Sequence, residues 1–219
     1  MVELMGLVVG IDEAGRGPVL GPLVMAGVLV DEKDLSKLTD IGVTDSKLLS
    51  KEKREQLFTM IKEIVIDFKI IEVDPLEIDK KSISGTNLNQ IEGIKSCEIL
   101  KALGNFSKAT IDCPSINPSG YETYLRTMVE GNLVVEHKAD ENYVEVGAAS
   151  ILAKVTRDFE IQKIKEDIGI NCGSGYPSDP TTQEFLDKYW DKYPNIIRKT
   201  WATYKAIKRK KEQKGLFDF

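Results

Sequence analysis

The sequence predicts an α/β fold: a mixed five-stranded sheet flanked by helices, with a small helical C-terminal extension. Three observations carry this. Short runs rich in Val and Ile, near 7–11, 19–30, 64–73, 108–113 and 133–137, alternate with stretches of helical period. The first two runs adjoin, which favours an antiparallel hairpin, whereas helices separate the later ones and allow parallel neighbours. Beyond a Gly/Pro-rich loop at 172–180 the chain reads as helices only and turns basic.

Residues 7–22, LVVGIDEAGRGPVLGP, organise the rest. The apolar run Leu7–Ile11 reads as a buried strand, and it ends in two adjacent acids, Asp12 and Glu13. Buried carboxylates are costly without a partner or a metal. A turn of Gly15, Arg16 and Gly17 follows. The glycines let the backbone approach a ligand and offer its N–H groups, and Arg16 adds a fork of donors suited to phosphate. Acids for a cation beside donors for phosphate point to metal-assisted phosphodiester chemistry.

The second strand lies within 19–30, with Gly21-Pro22 as a bulge or its true start. A helical turn is expected at Asp34–Leu38. Ser50 is a good N-cap for a helix with Leu57, Ile61 and Ile64 on its apolar face. Just before it stands a group of donors, Thr44-Asp45-Ser46-Lys47. Asp74-Pro75 stops the third strand, and Thr86 caps a helix running to Leu103. The fourth strand ends in Asp112, again an acid closing an apolar run. A short helix over 121–130 precedes the fifth strand, after which come Lys138, Ala139, Asp140 and Glu141. On the helix over 145–166, Ser150, Lys154 and Arg157 lie near one another, so Lys154 and Arg157 are candidates to present two cations to phosphates. Tyr176 sits in the Gly/Pro-rich loop, a poor place for a core ring. Asp179-Pro180-Thr181 launches the tail, two or three helices broken at Tyr193-Pro194.

The chain of 219 residues is 42% hydrophobic and 30% charged, ordinary for a soluble protein. No apolar run reaches the ~18 residues of a membrane span, and no basic cluster opens the chain as in a secretory signal. Three scattered cysteines make neither a disulfide framework nor a zinc spacing, consistent with a reducing cytoplasm. His137 is the only histidine, so a serine or cysteine triad has little support, and a structural role for it is expected. Net charge is −5, but from Lys188 to Lys214 ten Lys/Arg stand against Asp191 and Glu212, leaving +8 there and −13 elsewhere. Such asymmetry points to a polyanion.

Three blocks carry a resemblance to a known family: GIDEAGRGPVLGP, HKADENYVEVGAASILAKVTRD and GYPSDP, with TDSK and RKTW between and after them. Together they resemble ribonuclease HII, the type 2 ribonuclease H family, in its archaeal form. The resemblance implies a ribonuclease H-like fold. It implies a catalytic domain over 1–170, a loop and helical extension over 171–211 and a tail peptide over 212–219. It also implies that Asp12, Glu13, Asp112 and Asp140 form one active-site carboxylate set. Hard oxygens of this kind select Mg²⁺ or Mn²⁺.

By the same resemblance, Ser46, Lys47, Lys154, Arg157 and Lys199 contact phosphates, and Tyr176 packs on the sugar of the ribonucleotide. The Gly15–Arg16–Gly17 turn is expected to read the 2′-hydroxyl, the group that separates RNA from DNA. The implied substrates are RNA–DNA hybrids and ribonucleotides embedded in duplex DNA, cut to 5′-phosphate and 3′-hydroxyl ends. A DNA nuclease on the same fold explains the acids but not the glycine turn with Tyr176. A non-catalytic adapter leaves the acids without purpose.

Gln213, Leu216 and Phe219, with Phe217 also apolar, have the spacing of a sliding-clamp-binding peptide. The usual final aromatic after Phe219 is missing. A cytoplasmic monomer is expected.

Overall fold

The computed structural model describes residues 6–215. The chain divides into two compact units, one of residues up to Ala14, Val24–Glu72 and Asn89–Thr156, the other of Gly15–Leu23, Val73–Leu88 and everything from Arg157. The second unit thus gathers the C-terminal residues together with two earlier segments.

The elements run β1 (Leu7–Ala14), β2 (Leu23–Asp31), α1 (Leu35–Asp40), α2 (Lys51–Ile64), β3 (Asp67–Val73), α3 (Pro75–Ile83), α4 (Leu88–Leu103) and β4 (Lys108–Asp112). They continue with α5 (Pro118–Arg126), β5 (Leu133–Glu136), α6 (Ala139–Asn142), α7 (Val144–Ile168), α8 (Pro180–Tyr189) and α9 (Ala202–Gly215). None of the described helices is long and apolar enough to cross a membrane.

The five strands form one sheet in the order β3-β2-β1-β4-β5. β1 and β2 pair antiparallel, from Leu7 opposite Asp31 to Ala14 opposite Val24. β4 pairs parallel with β1, Ile111 beside Ile11, and β5 pairs parallel with β4. The sheet is therefore mixed, and in its parallel half the carboxyl ends of β1 and β4 lie side by side. Ligand sites of α/β sheets form at that edge.

Strand alternation divides the first unit's core. Val8, Val24, Ala26, Val28 and Val30 pack with Leu38, Leu57, Ile61 and the small residues Ala148, Ala149 and Ala153 of α7. On the other face, Gly27 lies against Ile11 and against Ile99 and Leu103 of α4. Gly10 lets α7 come close, since a Cβ there would run into the backbone of Glu145. α2 starts as its sequence directs, with the Ser50 hydroxyl accepting the Lys53 N–H at 3.2 Å and Leu57 and Ile61 buried.

Two helices are absent from the sequence reading, α3 and the four-residue α6. Asp74-Pro75, read as a strand stop, also starts α3: the Asp74 carboxylate accepts the Glu77 N–H at 2.8 Å, and Pro75 occupies the first turn. That cap followed by Pro was a legible start signal. α5 begins earlier than expected for the same reason, with Asn117 capping and Pro118 at its first turn. β2 starts after Gly21-Pro22, with Gly21 at φ +79°.

In the second unit, Val19, Leu20, Cys172, Phe185, Leu186, Ile197 and Tyr204 form a separate core. Leu20 and Ile197 make a single antiparallel bridge. Rings of Phe185, Tyr189 and Tyr193 lie within 6.0 Å of one another.

Candidate active site

Asp12, Glu13 and Asp112 come together: each has a carboxylate oxygen within 4.8 Å of the others'. The parallel register explains Asp12 and Asp112, which stand on neighbouring strands one position past the Ile11–Ile111 pair. Alternation should send Asp12 and Glu13 to opposite faces. Asp12 lies on the α7 face, where the Ser150 hydroxyl bonds it, and its Oδ1 accepts the Glu13 N–H at 2.7 Å. Glu13 is felt on the other side, by the buried Tyr121, whose hydroxyl pKa is raised by burial and then by Glu92. Both acids lie just past the last pair of the parallel β1–β4 ladder, at the rim where β4 stops.

Asp140 is 5% exposed and flanks this trio. Its charge raises the pKa of both Asp12 and Asp112. Its position depends on Lys138, which adopts the left-handed conformation at φ 57° and ψ 39° and is the one non-glycine with positive φ among the described residues. A residue held there by its surroundings is typical of functional turns. The turn delivers the Ala139 N–H to Asp112 Oδ1 at 2.8 Å, tying the end of β4 to the start of α6. Glu141, next along, is exposed and paired with Lys138 at 2.8 Å.

The electrostatics of the set call for a cation. Burial, then Asp112, and more weakly Asp140, push Asp12 up to about 8 against the pull of its hydrogen bonds. Asp112 is also raised, by burial first, although the Ala139 N–H and Lys47 oppose it. Carboxylates in this state ionise together only if positive charge joins them. Three close, hard oxygens suit Mg²⁺ or Mn²⁺. Lys47 supplies part of the charge: its exposed side chain reaches back so that Nζ lies 3.3 Å from Asp140 Oδ2. Burial works against the Lys47 ammonium, but Asp140, Asp45 and Asp12 together raise its pKa.

The other candidates fall into two groups. Gly17, Lys199 and Tyr176 are exposed, the last by 38%, and Arg16 and Lys154 are half-buried. Two further candidates are buried. Arg157 does not present its charge to solvent: it is 1% exposed, donates to the Ser174 carbonyl at 3.0 Å and lies over the Tyr176 ring at 5.2 Å. It also packs where a Cβ on Gly15 would sit, so Gly15, at φ +91°, is tied to it sterically. Ser46 is likewise buried, its hydroxyl 3.0 Å from that of Ser150. Each side chain thus has a tertiary partner, while the buried Arg157 Nε has none among the described residues. His137 Nδ1 lies 3.3 Å from the Cys113 carbonyl, a backbone contact.

The sequence reading gave no role to Ser150 as a partner of Asp12, to Asp79, or to Arg198, which is completely buried. Only the hydroxyl of Ser150, in line with Lys154 along one helix face, was a legible hint. Gln213 is exposed near the end of α9, and Leu216, Phe217 and Phe219 of the suspected clamp peptide lie outside the described residues.

A mixed sheet with carboxylates at the carboxyl ends of its central strands defines a ribonuclease H-like nuclease. Comparison with known proteins is more specific. The family model for Ribonuclease HII matches residues 9–204. Ribonuclease HII of Thermococcus sibiricus is 44% identical over 220 residues, covering 96% of each chain. The crystal structure of ribonuclease H2 from Pyrococcus horikoshii OT3 superposes with a TM-score of 0.87 at 41% identity, over 94% of this chain and 99% of that one. Ribonuclease HII of Archaeoglobus fulgidus, solved in complex with PCNA, matches at 0.82 and 38% identity, over 89% and 95%. The chain belongs to the ribonuclease HII family and is a ribonuclease H endonuclease.

Proposed function

We propose that the protein is a metal-dependent endoribonuclease that cuts the RNA strand of RNA–DNA hybrids and single ribonucleotides embedded in duplex DNA. The observation that carries this is the convergence of Asp12, Glu13 and Asp112 within 4.8 Å, with buried Asp140 beside them. Family membership and the chemistry of the donor set support Mg²⁺ or Mn²⁺ as the cofactor. When bound, such ions activate water and stabilise the leaving 3′-oxygen.

The chain's own contribution is positional. β1 and β4 hold three carboxylates at one rim, and Ala139 fixes Asp112 through a backbone donor. Ser150 and the Glu13 N–H orient Asp12. Lys47 and Lys154 are the candidate phosphate contacts in the first unit, and Lys199 and Arg16 those in the second. The N–H groups of the Gly15–Arg16–Gly17 turn are assigned to the 2′-hydroxyl, and Tyr176 to the adjoining sugar. The absence of a base-reading motif fits recognition by sugar and backbone. The A. fulgidus enzyme's complex with PCNA supports a sliding clamp as partner here, reached through Gln213, Leu216, Phe217 and Phe219. We place the enzyme in the cytoplasm as a monomer.

The test is a DNA duplex with one embedded ribonucleotide, incubated with Mg²⁺ or with a chelator. Scission only at the ribonucleotide, and only with metal, is expected. Equal cutting of an all-DNA duplex, or tight binding without cutting, would overturn the proposal.

A further inference from the structure

We infer that Arg198 is a positioning residue for ribonucleotide specificity, acting through the backbone of the Gly15–Gly17 turn. The inference rests on the proposed reading of the 2′-hydroxyl by that turn and names the group that sets its shape.

Arg198 is 0% exposed, and its guanidinium collects three backbone carbonyls of one loop. Nη2 donates to the Gly15 carbonyl at 2.7 Å, Nη1 to that of Arg16 at 3.1 Å, and Nε to that of Gly21 at 3.0 Å. Its own N–H donates to the Val19 carbonyl at 2.9 Å. A trans peptide is planar, so the carbonyl of one residue and the N–H of the next point in opposite directions. The described chain has no cis peptide. Turning the Gly15 carbonyl inward to Arg198 therefore turns the Arg16 N–H away from it. Turning the Arg16 carbonyl inward does the same for the Gly17 N–H. These are two of the donors that the turn would offer to a hydroxyl, and Gly17 is exposed.

The holder is itself held. The ring of Trp201 lies under the guanidinium, 4.9 Å away, and its Nε1 donates to the Gly17 carbonyl at 3.2 Å. With Pro18 next, that peptide has no N–H to direct, so the contact serves the position of Gly17 alone. Between Arg198 and Trp201 the chain is pinned by the buried Asp79 carboxylate. It accepts the Lys199 N–H at 2.7 Å, the Thr200 N–H at 2.9 Å and the Thr200 hydroxyl at 2.6 Å. Asp79 belongs to α3, a helix the sequence reading lacked. One guanidinium with a fixed fork matches three carbonyls. A lysine, a point charge on a flexible stem, does not.

The experiment measures binding in an inactive Asp112→Asn background. It compares a duplex carrying one ribonucleotide with the same duplex made entirely of DNA. Arg198→Lys should lower the preference for the ribonucleotide about tenfold, the worth of one or two misplaced hydrogen bonds. Affinity for the all-DNA duplex should stay unchanged. An unchanged preference, or an equal loss on both duplexes, overturns the inference. A parent with no preference overturns the reading of the turn itself, and so separates the two failures. Should Arg198→Lys not fold, Trp201→Phe, which keeps an aromatic ring but removes the donor to Gly17, is read in the same way.

Discussion

Asp112 and Ala139 are joined by a 2.8 Å hydrogen bond from the backbone N–H of the second to the carboxylate of the first. The bond ties the end of β4 to the left-handed turn at Lys138, and so links one acid of the cluster to the segment bearing another, Asp140. An acid that ends a strand would otherwise be free to rotate toward water. Here one oxygen is committed to the backbone.

The consequence for activity is direct. Asp112→Asn keeps an oxygen for the Ala139 N–H but removes the charge. Cutting should fall by at least about 1,000-fold, while the thermal midpoint without metal stays the same or rises. Near-normal turnover would remove Asp112 from the site.

Stability without metal should depend on pH in a particular direction. Asp12 is raised from 3.8 to about 8 in the folded protein. Between those values the native state keeps a proton that the unfolded chain releases, so stability falls as pH rises across the window. Saturating Mg²⁺ binds the ionised form, so folded and unfolded states then carry the same charge on Asp12 across the window and the profile should flatten. Calorimetry from pH 5 to 8.5, in chelator and in Mg²⁺, reads both slopes. Asp12→Asn should flatten the chelator profile and stabilise the protein at pH 8 by on the order of 3 kcal/mol. A flat wild-type profile in chelator would contradict the buried, mutually repelling arrangement.

Gly10→Ala should destabilise by about 1–3 kcal/mol, since the new methyl meets the backbone of Glu145 and not a yielding side chain. The urea midpoint measures it. No change would mean that β1 and α7 are not in such close contact.

Removing residues 213–219 should leave cleavage of short duplexes unaffected and abolish association with a sliding clamp, as read by gel filtration or surface plasmon resonance. Unchanged association would reject the tail as the docking segment.

Much of the site could be read from local signals, because an acid that closes an apolar run is visible without coordinates. Asp12, Glu13 and Asp112 are of that kind, and strand order then brings them together. Asp140 carries no such mark. Its place depends on Lys138 accepting a backbone conformation that sequences usually announce with glycine. Arg157 shows a different limit. Helical spacing tells which residues share a face but not whether that face meets solvent, and a guanidinium is buried only when distant carbonyls and rings receive it. The Ser174 carbonyl and the Tyr176 ring do so here. Ser46 is hidden for the same reason, through a partner 104 residues away in the chain. α3 was missed because Asp-Pro was read only as the end of what precedes it.

The pairing of Val8 with Lys108 closes a long stretch of chain before β1 and β4 can lie side by side. Loop closure of this length is entropically unfavourable and slow relative to local helix formation. During synthesis, the first two acids emerge from the ribosome long before their partner on β4 and longer still before Asp140. A chain cut short before β4 therefore carries Asp12 and Glu13 without Asp112 and Asp140. The four acids can meet only after the chain has been made as far as Asp140, nearly two thirds of its length.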